Sequence, residues 1–114
     1  AASSVPPARA LFATDLDGTL VDRGDGIHPR DREAIARARA AGVVVTIATG
    51  RLTPRTHPVA RSLGLDAPLV CADGGVIACG ATERVLARRA IATRHVESIL
   101  GTFVEEQIAT FVFT

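Results

Sequence analysis

The chain has 114 residues, enough for one domain with a modest hydrophobic core. Apolar residues make up 47% of it and the net charge is +1, a composition typical of a globular protein and without an electrostatic basis for binding nucleic acid or a membrane surface. Since no apolar run approaches the roughly 20 residues that span a bilayer, we expect no membrane partner and a cytoplasmic location.

The N-terminal residues 1–9 contain two prolines and lack the charged-then-apolar order of a signal peptide, so we predict a disordered lead-in there. The two cysteines, Cys71 and Cys79, have a spacing that would allow a disulfide. Nothing else in the sequence indicates a secreted scaffold held together by disulfides. We therefore favour two free thiols in a cytosolic protein.

Apolar runs alternate with helical segments up to residue 78. Strands are predicted at 10–14, 43–48 and 69–72, and helices at Arg30–Ala41 and at about 58–63. The first helix should bury a stripe formed by Ala34, Ile35, Ala38 and Ala41. The order strand, helix, strand, helix, strand predicts an α/β fold with a Rossmann-like parallel sheet.

The chain changes character after residue 78. Residues 76–78 and 84–89 predict a β-hairpin, Arg94–Glu105 predicts a helix with Thr93 as its N-cap, and 107–113 predicts a strand. Hairpin, helix and strand together form an α+β module. We therefore divide the chain into the lead-in 1–9, a core at 10–78 and the beginning of a second domain at 79–114.

Two carboxylates follow the first predicted strand. Asp15 stands where that strand ends, and Asp17 lies in the same turn beside Gly18, whose backbone N–H could face a phosphate oxygen. Carboxylates this close repel unless a cation or a shared proton offsets them, and Mg²⁺ prefers such oxygen ligands. From these residues alone, an ordinary Asp-Gly turn and a glycosyltransferase-type Asp-x-Asp metal site remain open alternatives.

A second polar loop, Thr49-Gly50-Arg51, follows the second predicted strand. Consecutive parallel strands usually neighbour one another, so this loop should reach the same sheet edge as Asp15. A hydroxyl, an unpaired backbone N–H and a guanidinium all favour a phosphate group. The two loops together predict a phosphate site.

Three segments in order, Phe12 to Leu20, Val45 to Arg51 and Leu69 to Ile77, resemble the haloacid dehalogenase superfamily and, within it, the Cof-type sugar-phosphate phosphatases. The resemblance implies an HAD-like half-core followed by the start of an α+β cap of the C2 type. It also implies Mg²⁺-dependent hydrolysis of a small phosphate monoester, such as a sugar phosphate, through a phosphoaspartyl intermediate.

The resemblance assigns roles to five residues of this chain. Asp15 would be the nucleophile, and Asp17 would protonate the leaving group and then deprotonate the hydrolytic water. The carboxylate of Asp15 and the carbonyl of Asp17 would hold Mg²⁺. Thr49 and the Gly50 N–H would cradle the phosphoryl group, and Arg51 would lie near the substrate.

Two features depart from the family pattern. The third-strand loop reads Asp73-Gly74-Gly75 where the family usually has Asn-Gly-Ala, which adds a carboxylate near the phosphate pocket. All 13 basic residues are Arg, so the family's later Lys is missing, as is its later acidic loop. We therefore expect a truncated phosphatase that is weakly active or inactive alone and self-associates through surfaces left exposed. The alternatives are a catalytically dead phosphate-binding module and a phosphomutase-type phosphotransferase.

The three histidines carry no comparable signal. His28 precedes Pro29, which is typical of a helix start rather than of a catalytic base. His57 and His95 have no metal-ligand spacing with the cysteines, so we predict no zinc site.

Overall fold

The computed structural model describes residues 10–114, and the predicted lead-in lies outside the described residues. The helices and strands, in chain order, are β1 (Ala10–Thr14), α1 (Pro29–Ala40), β2 (Val43–Ile47), α2 (Thr53–Ser62), β3 (Leu69–Cys71), β4 (Val76–Ala78), β5 (Val85–Arg88) and α3 (Thr93–Glu105). A 3₁₀ turn at Ala72–Gly74 joins β3 to β4. This order confirms the predicted α/β class.

The strands lie side by side in chain order. β1 pairs in parallel with β2, with Ala10 opposite Val43, and a single parallel bridge between Ala48 and Val70 connects β2 to β3. β4 and β5 continue the sheet in antiparallel pairing. Because the first three strands are parallel, their carboxyl ends meet at one edge, as the sequence predicts.

The core forms around the carboxyl-terminal halves of the strands and the loop after β1. Its fully buried members include Leu16, Ile47, Leu69 and Cys71. Leu16 lies between two exposed aspartates, so one buried side chain anchors the whole acidic loop. The thiols of Cys71 and Cys79 are both free, as predicted.

The helices differ from their predictions in detail. In α1 only Ile35 is buried and Ala38 is half-buried, so the wider stripe that included Ala34 and Ala41 was wrong. α2 begins at Thr53, earlier than predicted, because Pro54 rather than Pro58 occupies its first turn. Among residues 10–114, no helix combines the length and apolar character of a membrane span.

Two predicted strands lack the expected environment. Among the described residues, β1 pairs only with β2, and four of its five residues are exposed, so it is not the buried strand that its composition indicates. Residues 108–114 have no regular secondary structure, so the predicted strand at 107–113 was wrong. A strand needs a neighbour to pair its backbone groups, and this segment has none in the described part of the chain.

Candidate active site

The loop after β1 is a tight turn built on the carbonyl of Leu16. That carbonyl accepts the N–H groups of Thr19, Leu20 and Val21 at 3.0, 3.0 and 2.9 Å. Gly18 provides the positive φ of +76° that the turn requires. The carboxylates of Asp15 and Asp17 therefore face solvent, while Leu16 is fully buried.

Backbone hydrogen bonds bring the ends of the three parallel strands into line. The N–H of Ala48 donates to Thr14 at 2.9 Å, and the N–H of Thr49 donates to Val70 at 2.9 Å. As a result, one cleft of about 470 Å³ is lined by Asp15, Thr49 and Gly50 from the first two loops, together with Ala48, Val70, Asp73 and Gly74. The structure thus brings Asp15, Thr49 and Gly50 together in one cleft, whereas the predicted residues Asp17 and Gly18 line a separate cavity and Arg51 lines neither.

Arg51 lies beside this cleft but is turned toward Asp17. Its Nε donates to Asp17 Oδ2 at 2.9 Å, and its Nη2 lies 2.5 Å from Asp17 Oδ1 and 2.6 Å from Asp25 Oδ1. Only 9% of the Arg51 side chain is exposed. The hydrogen bond from Arg51 holds the pKa of Asp17 below its usual range, and the two carboxylates raise the pKa of Arg51.

Asp25 is a residue of this network that the sequence analysis missed. The loop that carries it is closed by Asp22, whose Oδ1 accepts the N–H groups of Gly24 and Gly26 at 2.9 Å each. This turn places Asp25 in a left-handed conformation, with φ of 59°, and presents its carboxylate to Arg51. An Asp followed by two closely spaced glycines is the sequence signal of such a turn.

The third loop places Asp73 against the second loop. The N–H of Asp73 donates to the carbonyl of Thr49 at 3.1 Å, and the N–H of Ala72 donates to that of Arg51 at 2.9 Å. A Cβ added to Gly50 would lie 3.0 Å from Asp73 Oδ1 and 3.3 Å from Oδ2, so the Asp73 carboxylate lies directly against Gly50. The extra carboxylate noted in the sequence therefore borders the cleft instead of facing away from it.

The acidic loop offers a partial set of ligands for Mg²⁺. The Asp15 carboxylate is exposed, and within residues 10–114 no backbone N–H donates to the Asp17 carbonyl, so both oxygens are available to a hard cation. Over the same residues, no group of three His, Cys, Asp or Glu side chains is placed to hold a metal. The residues present fit Mg²⁺ only if substrate, water or further ligands complete its coordination shell.

His28 has the role that the sequence predicts. It is the N-cap of α1, and its Nδ1 accepts the N–H of Arg30 at 3.1 Å. A side chain engaged in this way starts a helix rather than acting as a base.

Comparison with known sequences identifies relatives. The family described as haloacid dehalogenase-like hydrolases matches residues 12–114. The chain is 44% identical over 64 residues to pyridoxal phosphate phosphatase YbhA of Escherichia coli K12, covering 56% of this chain and 24% of that protein. It is 46% identical over 66 residues to 5-amino-6-(5-phospho-D-ribitylamino)uracil phosphatase YwtE of Bacillus subtilis, covering 58% and 22%. The chain thus spans about a quarter of the length of these curated relatives.

Solved structures show the same architecture. A haloacid dehalogenase-like hydrolase from B. subtilis superposes with a TM-score of 0.73 at 27% identity, covering 85% of this chain and 34% of that one. The sugar phosphatase BT4131, of HAD subclass IIB, gives a TM-score of 0.67 at 29% identity, covering 87% and 38%. The arrangement of the acidic loop and the matching family and structures lead to one assignment: the chain belongs to the haloacid dehalogenase-like hydrolases, in their Cof-type branch.

Proposed function

We propose that this chain carries the nucleophile side of a Mg²⁺-dependent phosphatase that hydrolyses a small phosphate monoester. The observation that carries the proposal is the single cleft in which Asp15, Thr49 and Gly50 meet. The phosphatase names of the relatives support the reaction class, and the resemblance of the loops supports the intermediate. The whole protein's substrate would be a small phosphorylated metabolite.

In the proposed reaction, Asp15 attacks phosphorus and the bond to the ester oxygen breaks, which leaves a phosphoaspartyl group. The Asp17 carboxyl gives its proton to the departing oxygen. Asp17 then takes a proton from water as that water attacks phosphorus, which releases inorganic phosphate and regenerates Asp15.

Thr49 and Gly50 are proposed to bind the phosphoryl oxygens. The Thr49 side chain is nearly buried, and its oxygen accepts the N–H of Arg51 at 3.1 Å. This bond uses a lone pair and leaves the hydroxyl hydrogen for a phosphoryl oxygen. Since Gly50 lacks a side chain, the phosphoryl group can approach its backbone N–H closely.

The contact between Asp17 and Arg51 sets a condition on the first step. An ordinary aspartate is already ionised at neutral pH, and the hydrogen bond from Arg51 lowers the pKa of Asp17 further, which makes it a poorer carrier of the proton that the first step needs. We therefore propose that Arg51 shifts from Asp17 toward the substrate when a phosphate ester binds. The same movement would place Arg51 near the substrate, as the sequence predicts.

The carboxylate of Asp15 and the carbonyl of Asp17 are proposed to hold Mg²⁺. When bound, the cation would offset the repulsion between the Asp15 carboxylate and the negatively charged phosphoryl group. Gly18, in the same turn, would direct its N–H to that group only if its present hydrogen bond, to Val21 at 3.1 Å, opens.

The test is phosphate release from p-nitrophenyl phosphate and from sugar monophosphates in Mg²⁺, with the wild-type chain beside Asp15→Asn. We expect a weak rate that falls at least about 100-fold in Asp15→Asn, because the nucleophile is gone. Asp66→Asn, an exposed acid that precedes β3 and lines neither cavity, is the matched control and should retain the wild-type rate.

Equal rates in the wild type and Asp15→Asn would remove the claim that this chain is catalytic. Phosphate binding without turnover would favour the binding module instead. Isomerisation of a sugar bisphosphate without release of phosphate would favour the phosphotransferase.

A further inference from the structure

The cleft between the three loops has an unusual charge for a phosphate site. Among the described residues that line it, Asp15 and Asp73 are acidic and none is basic. The guanidinium of Arg51, the residue that follows Gly50, is paired with Asp17 and Asp25. A phosphate dianion entering the cleft therefore meets two carboxylates, of which only Asp15 has a part in the proposed chemistry.

We propose that Asp73 is a specificity-determining residue that uses its charge to weaken the binding of highly charged phosphates. The inference rests on the proposed function. It predicts that the cleft favours monophosphates over bisphosphates and releases inorganic phosphate readily. A substrate with a second phosphate near the cleft would be repelled by a carboxylate that does not take part in the reaction.

The backbone holds the Asp73 carboxylate in this place. Ala72 and Asp73 are successive residues with positive φ, 50° and 52°, a conformation that costs free energy for residues other than glycine. The strained turn is fixed by the two backbone bonds to Thr49 and Arg51 and by a third, from Gly75 to Ala72, at 2.9 Å. The carboxylate edge then lies over Gly50, whose N–H is the proposed phosphate donor.

The expected effect is moderate because Asp73 is exposed and solvent screens its charge. At a separation of a few ångströms in a water-like dielectric, one carboxylate acting on a dianion changes affinity by about tenfold. No donor to the Asp73 carboxylate is found within residues 10–114, so its charge is not cancelled by a neighbour in that part of the chain.

The test measures inorganic phosphate binding in Mg²⁺ by calorimetry at low ionic strength, for the wild-type chain and Asp73→Asn. Asn tolerates the left-handed conformation at least as well as Asp, so the variant should fold with an unchanged melting temperature. We expect Asp73→Asn to bind phosphate about tenfold more tightly. The gain should shrink as salt is added, which a purely structural effect would not do.

Asp66→Asn is the matched control. Asp66 is exposed and precedes β3, so it lies at the opposite edge of the sheet, and the same loss of charge there should leave phosphate affinity unchanged.

The outcomes separate this inference from the proposed function. If wild type and Asp73→Asn bind phosphate equally while Thr49→Val abolishes binding in both, the role of Asp73 is wrong and the phosphate cleft stands. If neither chain binds phosphate and Asp15→Asn leaves turnover unchanged, both the role of Asp73 and the proposed function are wrong.

Discussion

The Arg51 guanidinium joins two loops through carboxylates that lie far from it in the sequence. It contacts Asp17 at 2.5 Å and Asp25 at 2.6 Å, and 62% and 60% of those two acidic side chains are exposed. Because solvent screens both acids, the pairing contributes little to stability. The pairing mainly affects the protonation of Asp17, because it holds the pKa of that carboxyl below its ordinary value of 3.8.

Arg51→Met should raise the pKa of Asp17 toward its ordinary value, because the hydrogen bond from Arg51 is the largest cause of its depression. A group with a lowered folded-state pKa stabilises the fold above its ordinary pKa, and this contribution disappears as pH falls through the lowered value. The variant should therefore lose less stability than the wild type when the pH is lowered below about 4.

The measurement is a ¹³C NMR titration of the Asp17 side-chain carboxyl. Arg55→Met is the matched control, since Arg55 is the weakest of the influences on Asp17 and its removal should shift the pKa much less. An Asp17 pKa that is the same in Arg51→Met and in the wild type would contradict the assignment of this contact.

For single residues of the site, some positions can be predicted from the sequence and others cannot. Asp15, Thr49 and Gly50 could be brought together from the sequence because each follows a strand, and parallel strands end at one edge. The partners of Arg51 could not, because they depend on the turn that Asp22 closes around Asp25. Loop conformation of this kind is set by side-chain hydrogen bonds rather than by a periodic pattern.

At the scale of helices and strands, the sequence predicts best the elements whose ends are determined by adjacent residues. α1 begins at Pro29 and ends before Gly42, as its sequence predicts, because its caps are local. The apolar run at 107–113 has the composition of a strand, yet no strand forms there, because pairing is not a local property. The exposed state of β1 has the same origin: its composition indicates burial, but in residues 10–114 only β2 lies beside it.

A polar contact connects α2 to the turn before β5. His57 in α2 is 2% exposed, and its Nδ1 lies 3.2 Å from Glu83 Oε1. Within the described residues, Nε2 of His57 has no hydrogen-bond partner. In that part of the chain, Glu83 is therefore the acidic group that faces Nδ1 of the buried ring.

Glu83→Ala should lower the free energy of unfolding by about 1–3 kcal/mol, because it removes the polar group that faces the buried imidazole of His57. Glu83→Gln is the matched control: its amide oxygen still accepts a hydrogen bond, so the loss should be much smaller. Urea unfolding followed by circular dichroism measures both. A Glu83→Ala variant as stable as the wild type would show that the contact contributes nothing.

On the scale of the whole molecule, the chain is less compact than a domain of its length. Its radius of gyration is 17.3 Å, compared with about 13 Å for a compact domain of this size. None of the residues of α3 is buried, and Phe111 and Phe113 are 85% and 71% exposed. Large apolar side chains in water favour association.

β1 is the other exposed apolar surface. Leu11 and Phe12 are 70% and 50% exposed, and because neighbouring residues of a strand point to opposite faces, both faces of this strand meet solvent. One edge of β1 pairs with β2, and within residues 10–114 no strand pairs with the other. An unpaired, apolar edge is a template for a strand of a second copy, so we expect the chain to self-associate there.

Sedimentation velocity over a range of concentrations should show association of the wild type that weakens in Leu11→Thr/Phe12→Thr. Thr keeps the β-propensity of the strand while removing most of its apolar surface, so the fold should be retained. Phe111→Ser/Phe113→Ser is the matched control, because it removes two large apolar side chains from the segment after α3 and leaves β1 intact. Greater weakening in this control would assign association to the C-terminal segment. A wild type that is monomeric at every concentration would refute the prediction for both surfaces, and it would show that an uncovered β1 is compatible with a stable single chain.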